Sequence, residues 1–175
     1  MTHVPVLIVG GGPVGLVASL LLSRLGIRSL LVERHPGTAI HPKARGINAR
    51  TMEIFHQQGI EACVRKAGLP PESVGLIVWT RTLSGEEIER RVPFGQSARR
   101  AEITPVRACL CAQDYLEPVL RRCAERQPPG ELRFNTELTS VRADADLVTG
   151  TLTDRVSGAE TPQPRRAHGG RGEGL

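Results

Sequence analysis

The sequence of 175 residues is long enough for one domain with a real core and too short for two well-developed ones. Its 39% hydrophobic content is ordinary for a water-exposed fold, and no stretch has the uninterrupted apolar length that a membrane-spanning helix requires. A formal charge of +5 at pH 7 raises nucleic acid as a partner, but the basic residues are spread among acids and the aromatic content is only 3%, which argues against it.

The chain opens with a β-branched run, Val4 to Val9, followed by Gly-Gly-Gly-Pro and then by an apolar stretch of helical length from Val14 to Leu25, closed by Gly26. A second short apolar run, Arg28 to Glu33, comes next. This pattern predicts β-α-β, with a helix packed on a sheet and Gly26 as its left-handed stop. No basic segment precedes the apolar stretch and no small-residue cleavage pattern follows it, so no targeting signal is read and a cytoplasmic location is expected.

From Arg34 to Gly46 the sequence turns to a basic loop rich in Pro and Gly, RHPGTAIHPKARG. Its length suggests a working loop. Helical patterns follow over Ile47–Gln58, ended by Gly59, and over Ile60–Ala67, ended by Gly68 and Pro70-Pro71. Strand-forming residues on either side of Ser84-Gly85, within 74–92, predict a hairpin that departs from the β-α-β plan.

Between Gln113 and Arg126 the residues Leu116, Val119, Leu120 and Cys123 recur at helical spacing. Asp114 with Glu117 suggests a capping box, and Pro118 suggests that the helix begins close by, since the first turn tolerates a missing N–H. A strand parallel to the first two is expected at Leu132–Phe134, then a two-strand meander turning near Ala143–Asp146. Residues 161–175, rich in Arg, Gly and Pro with few apolar side chains, are expected to be a disordered tail.

The cysteines, Cys63, Cys109, Cys111 and Cys123, include a C-x-C but no C-x-x-C arms, so no metal site is expected and reduced thiols are the simpler reading. His41 and His56 have nothing in the sequence to orient them as acid–base groups and are read as loop and helix-surface residues.

The glycines carry the chemistry. Gly10, Gly12 and Gly15 fit G-x-G-x-x-G between a predicted strand and a predicted helix. In that setting Gly10 permits the turn out of the strand, Gly12 lets a pyrophosphate approach the backbone, and Gly15 lets the helix lie close to the sheet. The helix N-terminus, with Pro13 at a position that needs no N–H, offers donors and its positive dipole end to the phosphates. Glu33 ends the second strand eighteen residues beyond Gly15, placed to accept ribose hydroxyls. These residues predict dinucleotide binding and leave the identity of the dinucleotide open.

The segments VLIVGGGPVGLVASLLLSRLGIRSLLVERH, HPKARGINARTMEIFHQQGI and QDYLEPVL together resemble the single-component FAD-dependent aromatic hydroxylases, the family of p-hydroxybenzoate, phenol and polyketide hydroxylases. The resemblance covers about residues 4 to 160. It implies a Rossmann-like FAD-binding fold of the glutathione-reductase type over 1–160, with the hairpin near 74–92 belonging to the side of a substrate domain. Gly10, Gly12, Pro13, Val14 and Gly15 would then hold the FAD pyrophosphate and Glu33 the ribose. Arg34 would lie near the adenine, Arg45 would reach the phosphate and ribityl region, and Gln113 would lie near the ribityl chain and ring edge.

The resemblance further implies NAD(P)H as reductant and a small aromatic substrate. The family also carries an Asp-Gly and a later Gly-Asp motif, and neither dipeptide occurs in this sequence. The expectation is therefore the N-terminal FAD-binding portion of a hydroxylase, α/β and incomplete, with a catalytically silent nucleotide-binding fragment as the alternative. A flavin-dependent halogenase would usually show W-x-W-x-I-P, which a single tryptophan, Trp79, excludes within these residues.

Overall fold

The computed structural model describes residues 3–41, 43–70, 77–91, 104–145 and 147–166. It divides into two compact units, Met1–Ile40 with Leu120–Leu175, and His41–Val119.

In the first unit the β-α-β plan is realised. Strand β1 (Val6–Val9) lies parallel to β2 (Ser29–Val32), and helix α1 (Pro13–Arg24) joins them. The stop is as expected, with Gly26 at φ 71°. A third parallel strand, here β7 (Glu131–Arg133), pairs with the far side of β2 and gives the order β1-β2-β7. As the central strand, β2 is buried along its whole length, which explains why its sequence is a continuous apolar run after Ser29.

Alternation along β2 sends Leu30 and Val32 to one face and Ser29 and Leu31 to the other. Leu30 and Val32 form a core with Val4 and with Leu152, against which Leu7 and Leu138 pack. Leu152 and Leu138 come from a second, antiparallel sheet made of β8 (Thr136–Ala143), β9 (Leu147–Asp154) and β10 (Glu160–Arg166), in the order β10-β9-β8. The other face of β2 meets α1 through small side chains. A Cβ on Gly130 would lie 2.5 Å from Ser23 Oγ, 3.1 Å from Ser19 Oγ and 3.6 Å from Ser29 Oγ, so helix and strand approach closely around a glycine.

Strand β10 continues to Arg166, beyond residue 160, where the sequence predicts that order ends. It is an edge strand, and its pairing with β9 relies on backbone groups, so a polar, Pro-rich sequence suffices. Pro162 and Pro164 are two residues apart and so direct their nitrogens to the same side, which an edge strand can leave unpaired. The rest of the expected tail, 167–175, lies outside the described residues.

In the second unit, α2 (Ala49–Gln57) begins at Asn48, whose Oδ1 accepts the Thr51 N–H at 2.8 Å, and buries Met52 and Phe55. Gly59 at φ 68° ends it, and α3 (Glu61–Ala67) follows. The expected hairpin forms from β4 (Ile77–Thr80) and β5 (Glu87–Arg91); the predicted residues 74–76 and 92 lie outside the described set. Two short strands that sequence reasoning missed, β3 (Gly46–Ile47) and β6 (Cys109–Leu110), pair antiparallel.

The division between the units falls inside α4 (Gln113–Glu125). Two local expectations are corrected here. Pro118 is the sixth residue of α4, inside the helix, where it removes one main-chain bond. The capping box does not form, because Ala112 supplies the carbonyl that starts the helix and Asp114 is already its second residue. Glu117 instead accepts the Gln113 Nε2–H at 2.6 Å, and Asp114 Oδ1 is buried without a hydrogen-bond partner.

Candidate cofactor-binding site

The glycine loop leaves β1 through Gly10, which sits at φ 109°, a conformation that a side chain rarely adopts. The Gly10 N–H donates to the Val32 carbonyl at 2.8 Å, so the loop is tied to the end of β2 at its first residue. A Cβ on Gly15 would lie 2.0 Å from the Gly10 carbonyl oxygen and 3.3 Å from Ile8 Cγ2. No residue but glycine allows α1 to start this close to β1. Both expected structural roles are therefore present in the geometry.

Gly12 differs. Its φ of −74° and ψ of −178° are extended backbone open to any residue, so conformation does not require a glycine there. What it provides is a backbone without a side chain at the start of α1. The first intrahelical bond is from the Leu16 N–H to the Gly12 carbonyl at 3.0 Å, which puts the N–H groups of Gly12, Val14 and Gly15 ahead of the helix ladder. Pro13 occupies the first turn, where its missing N–H removes nothing, and that turn has no acidic residue to oppose an anion. The Val14 side chain is 84% exposed.

Glu33 follows β2 and folds back onto the loop. Its Oε2 accepts the Gly11 N–H at 2.7 Å, while Oε1 accepts the His35 backbone N–H at 2.8 Å and is 2.6 Å from His35 Nδ1. The Glu33 side chain is 13% exposed and that of His35 is 64% exposed. Burial works to raise the Glu33 pKa, but the amide bonds from Gly11 and His35, followed by the His35 ring, outweigh it and hold the carboxyl below its ordinary value. The Glu33 carboxyl is therefore ionised near neutral pH.

Neither Gly11 nor His35 was singled out from sequence. Gly11 is the variable position of G-x-G-x-x-G, and the motif gives it no task. A Cβ there would lie 2.9 Å from Glu33 Cβ and 3.0 Å from Glu33 Cγ, so the third glycine makes room for the acid. The available signal was the tripeptide Gly-Gly-Gly itself, one glycine more than the motif needs. Arg34, between Glu33 and His35 in the chain, is exposed.

Arg45 and Gln113 lie in the second unit, and the structure brings them together there. The Cys111 N–H donates to the Arg45 carbonyl at 2.9 Å and the Gln113 N–H to the Ala44 carbonyl at 2.8 Å, extending the β3–β6 ladder beyond both strands. The Gln113 amide adds a long bond from the Ala44 N–H to its Oε1 at 3.4 Å. The basic loop is thus fixed to the start of α4 at Ala44-Arg45, with the Arg45 side chain exposed. Cys109 and Cys111 alongside are buried free thiols, and burial pushes the Cys111 thiol up to about 11.

A donor set at a helix N-terminus, a glycine that holds the helix against its strand and an ionised acid beside the loop fit the diphosphate and ribose of a dinucleotide. The parallel β-α-β sheet with this loop defines a dinucleotide-binding α/β protein. The chain belongs to the family described as FAD binding domain, which matches residues 3–164, in the form found in monooxygenases of the aromatic and polyketide hydroxylase type.

It is 44% identical over 163 residues to a Streptomyces halstedii protein assigned as a polyketide hydroxylase, covering 91% of this chain and 29% of the relative. It is 38% identical over 159 residues to 2,4-dichlorophenol 6-monooxygenase of Cupriavidus pinatubonensis, covering 89% of this chain and 26% of the relative. Among solved structures, the flavin-dependent monooxygenase PieE in complex with FAD and substrate superposes with a TM-score of 0.85 at 39% identity, covering 94% of this chain and 29% of that one. The chain thus spans less than a third of the length of these relatives. Among the described residues no helix is long and apolar enough to cross a membrane.

Proposed function

We propose that Gly10, Gly12, Pro13, Val14 and Gly15 take the pyrophosphate of FAD and that Glu33 takes the ribose of its adenosine half. The observation that carries this reading is the pairing of the loop with the acid: the α1 donors and the ionised Glu33 carboxylate belong to one hydrogen-bonded turn. Arg34 lies toward the adenine in this reading, and Arg45 and Gln113 serve the phosphate and ribityl side and the ring edge.

The activity we propose is that of an NAD(P)H-dependent flavoprotein monooxygenase of the cytoplasm, hydroxylating a phenolic or polyketide aromatic ring. Bound FAD supplies the redox and oxygen chemistry; the protein binds it, orients it and excludes water. Hydroxylation belongs, in this reading, to a polypeptide that also encloses the substrate, and the residues described here bind the cofactor's adenosine half.

Titration with ADP, FAD and 2′-phospho-ADP tests the first part. The Glu33 carboxylate should repel a 2′-phosphate, so ADP and FAD should bind more tightly, and tightest binding of the 2′-phosphate compound would overturn the assignment. For the second part, oxygen and NAD(P)H consumption are measured with a panel of phenols. The 175-residue chain should give slow oxidation without product, and stoichiometric hydroxylation by it would show that nothing further is needed.

A further inference from the structure

Glu33 already has three donors. Oε2 takes one, the Gly11 N–H at 2.7 Å, and Oε1 takes two, the His35 backbone N–H at 2.8 Å and the ring Nδ1 at 2.6 Å. A carboxylate offers about four acceptor positions, two on each oxygen. One position is left, on Oε2. A ribose diol donates two hydrogens, and to read both hydroxyls a carboxylate must have one position open on each oxygen.

Two of the three donors cannot withdraw, because the Gly11 and His35 amides are fixed by the loop and by the chain. The ring can. Its side chain is 64% exposed, so rotation exchanges one protein hydrogen bond for one with water. The 2.6 Å contact to an ionised oxygen also sets the roles: Nδ1 carries the proton and donates. The ring N–H thus stands where a hydroxyl donor would stand.

Resting on the reading of Glu33 as the ribose acceptor, we infer that the His35 imidazole is an internal competitor for the second ribose hydroxyl. With the ring in place Glu33 reads one hydroxyl, and both are read only after the ring leaves Oε1. His35 is then a specificity-determining residue: it lowers affinity for the nucleotide and blunts discrimination between a ribose and a deoxyribose.

The test measures binding of ADP and 2′-deoxy-ADP to the 175-residue chain and to two variants. His35→Ala removes the ring but keeps the backbone donor; it should tighten ADP by about threefold, the scale of one exposed hydrogen bond, and raise the ratio of ADP to 2′-deoxy-ADP affinity by a similar factor. His35→Asn, whose Nδ2 can donate from nearly the same place as Nδ1, should resemble the unaltered chain. An unchanged or lower ADP affinity in His35→Ala, or an unchanged ratio, overturns the competition and leaves the ribose reading intact. No binding of ADP to the unaltered chain or to either variant overturns the ribose reading itself, and this inference with it.

Discussion

The Gly11 amide donates to Oε2 of Glu33 at 2.7 Å across twenty-two residues of sequence, so the loop that precedes α1 and the acid that follows β2 form one hydrogen-bonded unit. The parallel register, with Val9 opposite Val32, makes this possible by ending both strands at the same level. A dinucleotide-binding turn in this chain is therefore preassembled. The N–H groups at the start of α1 and the Glu33 carboxylate are held in register by the Gly11–Glu33 bond and by the bond from the Gly10 N–H to the Val32 carbonyl.

Replacing Glu33 with Ala should weaken ADP binding by ~1–3 kcal/mol, the scale of a buried hydrogen-bond group left without its partner. Gly11→Ala should act in the same direction by another route, since its Cβ would displace the Glu33 side chain from 2.9 Å. Calorimetric titration with ADP checks both. Affinity unchanged in both variants would mean that the acid does not touch the nucleotide.

The lowered pKa of Glu33 has a defined consequence for stability. A carboxyl whose folded pKa lies below its ordinary value of 4.5 stabilises the fold above that value, and the contribution is lost as pH falls through the folded pKa. Melting temperature should hold on the neutral side and decline below ~4.5, and Glu33→Gln should flatten part of the decline. The comparison is a thermal-unfolding series from about pH 3 to about pH 7. Parallel curves for the two proteins would show that the hydrogen bonds to Glu33 contribute nothing.

The β-α-β unit was legible in the sequence because local chemistry decides it. A β-branched run, a glycine turn and an apolar helix ending at Gly26 allow few other arrangements, and Gly26 and Gly59 do take positive φ where helices end. The same holds for α2 and for the hairpin around Ser84-Gly85. What escaped was set by distant partners. Pairing of Gly46 with Leu110 joins two residues each to a strand, too few to leave a pattern. Strand β10 forms because β9 presents an edge, although its own composition reads as a breaker. Pro118 is tolerated inside α4, where burial of Leu116, Val119 and Leu120 outweighs the lost bond. Of the site, the motif identified the positions that we propose to touch phosphate and ribose. Gly11 and His35, which act on Glu33 instead, have no place in a motif.

Thiol reactivity should separate the cysteines. Cys63 is exposed, whereas burial raises the pKa of Cys109, and that of Cys111 to about 11 with Cys109 and Asp114 adding to the effect. Iodoacetamide near pH ~8 should modify Cys63 first and leave Cys109 and Cys111 until the protein unfolds. Because the raised pKa favours the neutral thiol in the fold, Cys111 supports the fold below its unfolded pKa of 9.0, and this is lost as pH rises toward about 11. Mass spectrometry of the modified protein reads the order, and early labelling of Cys111 would contradict its burial.

The sharpest separation of phosphate binding from folding compares Gly12→Val with Gly15→Ala. Gly12 has φ −74° and ψ −178°, so valine meets no backbone strain there, and the variant should keep its stability within ~1 kcal/mol. Its branched side chain would nevertheless stand at the start of α1, over the N–H groups ahead of the Leu16 bond, and ADP affinity should fall by about tenfold or more. Gly15→Ala adds a single methyl, but 2.0 Å from the Gly10 carbonyl oxygen, and only a shift of α1 away from β1 can relieve it. That variant should lose ~1–3 kcal/mol of stability, with ADP binding weakened as a consequence of the moved helix. Denaturant midpoints and ADP titrations on both proteins decide the matter. Loss of stability in Gly12→Val with binding retained would reverse the roles assigned to the two glycines and would reduce the loop to a packing device.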